Sequence, residues 1–281
     1  VGIIGENYGY INNIEVLETK VTGINRIASL VCNSVNAKGI ENIIAERITV
    51  TATGDYVGGI VAYVFNHLCY NIQIKDSTIE GNNNTGGIFG YARGESDEKN
   101  IRNISANNIK VTGNSYVGGL EGRTENFGMN YSNICNSEIQ GTGTSIGGAI
   151  GFKNDWSLMN SIIVKKCNVK GKGLQVRNVG GIIGWDSSNL VRYLYAYDTK
   201  IENEGINTGG LIGLKDRGCQ ITYSVGYNLS VSGSRNVGGV IGSGNAKIKK
   251  CYINANVKAS INAAGGLIGN LTNIEMNDIN N

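Results

Sequence analysis

A glycine pair returns along this chain about every thirty residues, and no other feature limits the fold as much. The pairs are Gly58-Gly59, Gly86-Gly87, Gly118-Gly119, Gly147-Gly148, Gly180-Gly181, Gly209-Gly210, Gly238-Gly239 and Gly265-Gly266. Gly2 opens the series, and Ala28-Ser29 holds the place of one degenerate copy. Counted on the second position, the steps are 27, 30, 28, 32, 29, 33, 29, 29 and 27 residues. A fixed period of this size is the mark of a repeat architecture.

Aliphatic columns keep step with the glycines. One runs through Val21, Ile48, Ile79, Ile109, Ile139, Val169, Ile201, Leu229 and Val257. Five residues upstream lie Val16, Ile43, Ile74, Ile104, Ile134, Val164, Ala196, Ser224 and Tyr252. Around them, apolar and polar residues alternate with period two, as in Ile72-Gln73-Ile74, which reads as strand. No segment carries a helical apolar stripe. Each repeat therefore predicts three short strands, one of them the Gly-Gly-aliphatic-aliphatic-Gly segment itself.

Three such strands cannot bury an apolar face alone, but stacked copies can, each strand pairing in parallel with its equivalent about 4.8 Å away. Parallel crossovers are right-handed in nearly all cases. The expected fold is all-β: a right-handed parallel β-helix, or β-solenoid, of about nine to ten coils and about 45 Å in length. Residues 1–281 form one repeat domain on this reading. The chain starts and stops inside a repeat, which predicts an internal fragment of a longer chain, with further domains capping both ends.

The glycines have two structural explanations, a corner at positive φ and a close approach of backbones. A phosphate cradle is excluded, because neither Lys-Ser/Thr nor a helix follows them. The absence of proline, where average usage predicts about 14 residues, suits a chain made almost wholly of paired strand. Insertions fall after the glycine motif, long at residues 91–100 and short at residues 243–246, and the face carrying such loops is the usual place for binding in a solenoid.

Charge and composition exclude several classes. Twenty-five basic against 22 acidic residues give a net charge of +3, too even for a nucleic-acid stripe. No apolar run approaches the roughly 20 residues of a membrane-spanning helix, so no nucleic acid and no membrane insertion are expected for this segment. The six cysteines are scattered singly, without a C-x-x-C pair, and read as small core residues. No cofactor or metal site is expected.

Gly119-Leu120-Glu121-Gly122, Gly210-Leu211-Ile212-Gly213 and Gly266-Leu267-Ile268-Gly269 resemble the Gly-Leu-x-Gly core of the GLUG repeat. The segment Cys251-Tyr252-Ile253-Asn254-Ala255-Asn256-Val257 resembles that family's second strand. Other copies carry Ile, Val or Ala in place of Leu. The resemblance covers essentially the whole chain. It implies a bacterial surface or extracellular protein: an adhesin, or the non-catalytic N-terminal region of an immunoglobulin A-specific zinc metallopeptidase.

The chemistry expected of this segment is sparse. His67 is the one histidine, so this segment cannot form the His-Glu-x-x-His site of a zinc peptidase. His67, beside Cys69, reads as a loop residue. A carbohydrate-active β-helix, lyase or hydrolase, needs carboxylates converging on a groove. The candidates are Asp155, Asp186 and Asp216, at 7, 5 and 6 residues after the second glycine of successive repeats, near Trp156 and Trp185. Basic residues at similar offsets argue instead for a solvated strip. Tyr193, Tyr195, Tyr197, Tyr223 and Tyr227 cluster in neighbouring repeats, and the sequence leaves their facing open. The leading expectation is a non-catalytic spacer and binding region for a host glycoprotein or polysaccharide.

Overall fold

Period-two alternation and frequent small polar residues suit short strands joined by abrupt bends, and the backbone is built that way throughout. The computed structural model describes residues 2–95, 100–154, 159–188 and 190–280. Among these there is no helix. The strands of each coil pair in parallel with their equivalents in the next. The result is a parallel β-solenoid of about nine coils, followed by the in-register column Val21, Val50, Ile79, Val111, Ile139, Val169, Ile201, Val231 and Val257.

One coil shows the pattern. A two-residue bridge, Val57–Gly58, leads through Gly59 and Ile60 into strand Val61–Phe65. A short connection containing His67 leads to strand Cys69–Glu80, which bends at Asn71 (φ 53°) and Asp76 (φ 51°). Another bend at Asn84 (φ 52°) precedes the next bridge, Thr85–Gly86. The glycine motif is thus not one strand. A bend divides it, giving the coil a fourth short segment.

The glycines also answer which of the two structural explanations applies. Among the described residues, positive-φ glycines are confined to Gly39, Gly173 and Gly244, none of them in the motif. Steric approach is the cause. A Cβ on Gly59 would lie 2.0 Å from the carbonyl oxygen of Gly87, and one on Gly148 would lie 2.0 Å from that of Gly181. The third glycine touches the coil before it: a Cβ on Gly122 would be 2.6 Å from the oxygen of Gly90. In the degenerate coil Ser29 carries a Cβ, and there the amide pairing is altered. Ser29 donates to Gly59 O, whereas Gly59 donates to Gly86 O, the first glycine of its neighbour.

Among the described residues, 14 of the 29 non-glycine left-handed positions are asparagine, whose short side chain tolerates that conformation. Asn71 Nδ2 donates to Asn42 Oδ1 at 2.7 Å, and Asn103 Nδ2 to Asn71 Oδ1 at 3.2 Å. Asn207 and Asn236 continue a second ladder from Asn178, each at 2.9 Å. Side-chain ladders of this kind tie the bends of neighbouring coils together, as amide ladders tie the strands.

The interior is aliphatic. Ile60, Ile88, Leu120, Ala149, Ile182, Leu211 and Val240 are fully buried behind the glycines, and Ile72, Ile104, Ile162 and Leu194 stack on another side. Two expected columns need correction. Ile48, Ile109 and Leu229 are inward-facing, but Val50, Val111 and Val231 occupy the register positions opposite Val21 and its partners. Likewise Ala45, Ala106 and Gly226, not Ile43, Ile104 and Ser224, align with Val16 and Ile74. Tyr252 is a slip of one residue and therefore of face. It is 42% exposed, while Ile253 fills the core position.

Candidate binding surface

The same bend that carries Asn42, Asn71 and Asn103 in the early coils carries Tyr193 (φ 55°), Tyr223 (φ 51°) and Lys250 (φ 52°) in the late ones. Bulky side chains in this region cost about 1–3 kcal/mol each and persist only where the surrounding structure holds them. The bend throws them outward. Tyr193 and Tyr223 stack with ring centroids 5.3 Å apart and planes 20° apart. Lys250 lies 5.1 Å from the Tyr223 centroid and donates to its hydroxyl at 3.3 Å.

Adjacent outward positions add more rings. Tyr195 and Tyr197 are 6.3 Å apart and nearly parallel, and Tyr227 and Tyr252 are 6.5 Å apart. Tyr193, Tyr195, Tyr223, Lys250 and Tyr252 line a shallow cleft of about 450 Å³. Tyr223, Tyr227 and Tyr252 are exposed. Partial burial, then the neighbouring phenols Tyr197 and Tyr193, push the Tyr195 phenol up, so it stays a neutral hydroxyl able to donate or accept. All five tyrosines singled out in the sequence face outward, and Tyr252 joins them.

A second aromatic strip runs along another face: Tyr56, Tyr63, Tyr91, Tyr116, Phe152 and Trp185. Its groups are already occupied with one another. Arg123 lies over Tyr91, Tyr116 and Phe152 at 5.3, 5.6 and 5.3 Å, and Arg26 over Tyr56 and Tyr63. Glu125 accepts from Tyr91 Oη at 2.5 Å and from Arg123 Nε at 3.0 Å. Burial alone would push the Glu125 carboxyl up, but these bonds from Tyr91 and Arg123 hold it below the usual range. The strip clamps neighbouring coils together. The rings of the tyrosine cleft also stack on one another, but Tyr223, Tyr227 and Tyr252 keep large exposed surfaces available to a ligand.

The carboxylates expected to line a groove are placed differently from one another. Asp186 is fully buried, 3.2 Å from the equally buried Lys215. Asp216 follows Lys215 in the strand and is exposed. The structure does not bring these two carboxyls together. Asp155, with Trp156, lies outside the described residues. Trp185 packs 4.7 Å from Phe152 and is half-buried.

His67 sits in a connection but is only 1% exposed, its Nε2 2.7 Å from Ser34 Oγ and its Nδ1 3.9 Å from Cys69 Sγ. Its partner Ser34 lies 33 residues away, so nothing local in the sequence signals the burial. Burial pushes the Cys69 thiol well above the usual range, the reverse of an activated nucleophile. Among the described residues, no group of three His, Cys, Asp or Glu side chains could hold a metal ion, and no helix is long and apolar enough to cross a membrane.

Compared with known protein families, curated proteins and solved structures, the chain matches none.

Proposed function

We propose that this segment is a non-catalytic β-solenoid module of an extracellular or cell-surface bacterial protein, a rigid spacer that binds glycan chains of a host glycoprotein. The tyrosine cleft carries the reading. Apolar sugar faces stack on open aromatic rings, phenol hydroxyls bond sugar hydroxyls, and Lys250 suits an acidic sugar. The resemblance of the glycine motif to the GLUG repeat supports the bacterial surface setting and the expectation that any peptidase chemistry belongs to a separate domain.

The test is binding of the purified segment to immobilised glycans and host glycoproteins. Replacing Tyr195 and Tyr223 together by Ala removes two stacking platforms at about 0.5–1.5 kcal/mol each, so affinity should fall roughly tenfold or more. Replacing Tyr131, which is exposed in an earlier coil, should change nothing. Equal binding by the double variant rejects the cleft. Cleavage of glycan or protein by the segment alone rejects the non-catalytic assignment.

A further inference from the structure

Inside the solenoid, the strand after each glycine motif presents one column to the core: Ala92, Thr124, Lys153, Asp186, Lys215 and Gly244, in register. Lys153, Asp186 and Lys215 are fully buried. Ionised groups in such a place cost several kcal/mol each in lost hydration, and a bare ion pair recovers that only with good geometry. Lys215 and Asp186 form such a pair, and the hydrogen bonds around it are unevenly shared.

Lys215 Nζ donates to two backbone carbonyls, Asp186 O at 3.2 Å and Ser188 O at 2.6 Å. It also lies 3.2 Å from Asp186 Oδ2, yet that oxygen has no hydrogen-bond partner. The other carboxyl oxygen, Oδ1, accepts from the Ser188 amide at 3.0 Å. A neutral amine has two N–H groups, and the two carbonyls account for both. The remaining direction on nitrogen is left for the carboxyl group. The 3.2 Å from Nζ to Oδ2 sets the amine against this carboxyl in a site closed to water, and such positioning favours reaction between neighbouring groups.

From this arrangement we infer that Lys215 and Asp186 join in an intramolecular isopeptide bond. A proton passes from the Lys215 ammonium to Asp186 Oδ2, leaving an amine and a carboxylic acid. Nζ attacks Cγ, and the Ser188 N–H stabilises the charge that develops on Oδ1, as an oxyanion hole does. The Cγ–Oδ2 bond breaks, and Oδ2 leaves as water with two of the three ammonium protons. The third stays on the new amide. Nothing is oxidised or reduced, and no co-reactant is needed. A buried charge pair becomes a neutral amide, and the released water escapes to solvent. The bond closes a covalent ring across 29 residues, one full coil, and rivets two neighbouring coils that otherwise meet through non-covalent contacts.

The decisive measurement needs no variant. The intact mass of the folded chain, taken in denaturant, should be lower than the sequence mass by one water, about 18 Da. Trypsin should fail to cut after Lys215, and fragmentation should show a branched peptide joining the Asp186 and Lys215 segments. Lys215→Arg and Asp186→Ala should each restore the full mass, with folding checked by circular dichroism. A folded wild-type chain at full sequence mass overturns the inference. So does a branch at Lys153, the register neighbour on the other side of Asp186.

Discussion

Gly148→Ala tests the claim that the glycine motif is a packing device. The ideal Cβ at this position lies 2.0 Å from Gly181 O, and ordinary contact begins at 3.4 Å, so the coils would have to separate by about 1.4 Å (3.4 − 2.0). Around the site, Ala149 N donates to Ile182 O at 2.9 Å and Ile150 N to the same oxygen at 2.9 Å. Opening by that amount takes both beyond hydrogen-bonding distance. Two buried, unsatisfied groups at about 1–3 kcal/mol each give about 4 kcal/mol of destabilisation. The smaller backbone entropy of alanine in the unfolded chain returns about 0.4–1 kcal/mol. The expected net loss is therefore about 3 kcal/mol. The control is Gly5→Ala, where no atom lies within 4 Å of the added Cβ. Urea unfolding measures both, with amide exchange at residues 148–150 reporting local opening. Equal stability of the two variants, or a loss at Gly5 matching that at Gly148, would refute the steric explanation.

Other consequences are as specific. Burial, opposed in part by Lys153, holds the Glu121 carboxyl well above its ordinary value of 4.5. The native state therefore keeps a proton that the unfolded chain releases above about pH 4.5, and its contribution is lost as pH rises. Glu121→Gln should flatten the fall in stability between mildly acid and mildly alkaline pH, measured as urea midpoints; an unchanged slope rejects this. Asn71→Ala should cost about 3 kcal/mol, from left-handed strain and two lost ladder bonds, while Asn71→Gly recovers the conformational part. Ile182→Ala, at a fully buried position behind the glycines, should cost about 3 kcal/mol. Leu174→Ala, on a side chain that is 83% exposed, should be within about 0.5 kcal/mol of wild type in the same assay.

The fold was legible because a solenoid writes its contacts at one sequence separation. A residue and its neighbour in the next coil recur at the glycine step, so periodicity alone places strands against strands. Registration within the step was less legible. Ile43 and Ala45 both face inward, and volume favours Ile43, yet Ala45 is the partner of Val16. Pattern cannot separate two inward residues of one strand, and a slip of two leaves the face unchanged. Tyr252 fails for another reason. The register shifts between Gly226 and Leu229, because three steps there oppose only two in the next coil, from Ile253 to Ala255. An irregularity of one residue reverses every face beyond it.

Parity along the strand separates the two carboxylates that repeat spacing had put together. Asp186 stands five residues after Gly181, and Asp216 six after Gly210. Lys215 is the residue at five, and it pairs in register with Asp186. Offsets that differ by one on a strand mean opposite faces, so the 5 and 6 placed one side chain in the core and the other in water. The tyrosines were harder, because a left-handed bend interrupts alternation at Tyr193 and Tyr223 and makes facing unreadable from parity. Their column is readable only through its asparagines. Where Asn42, Asn71 and Asn103 hold a bend and tie coils together, a tyrosine or lysine at the same place gives up that ladder for an exposed side chain. In these coils the asparagine ladder gives way to a Tyr193–Tyr223 ring stack and a Lys250–Tyr223 contact, cross-ties made by larger side chains that also reach solvent, and this is the reason to look for a ligand at Tyr193, Tyr223 and Lys250 before anywhere else on the molecule.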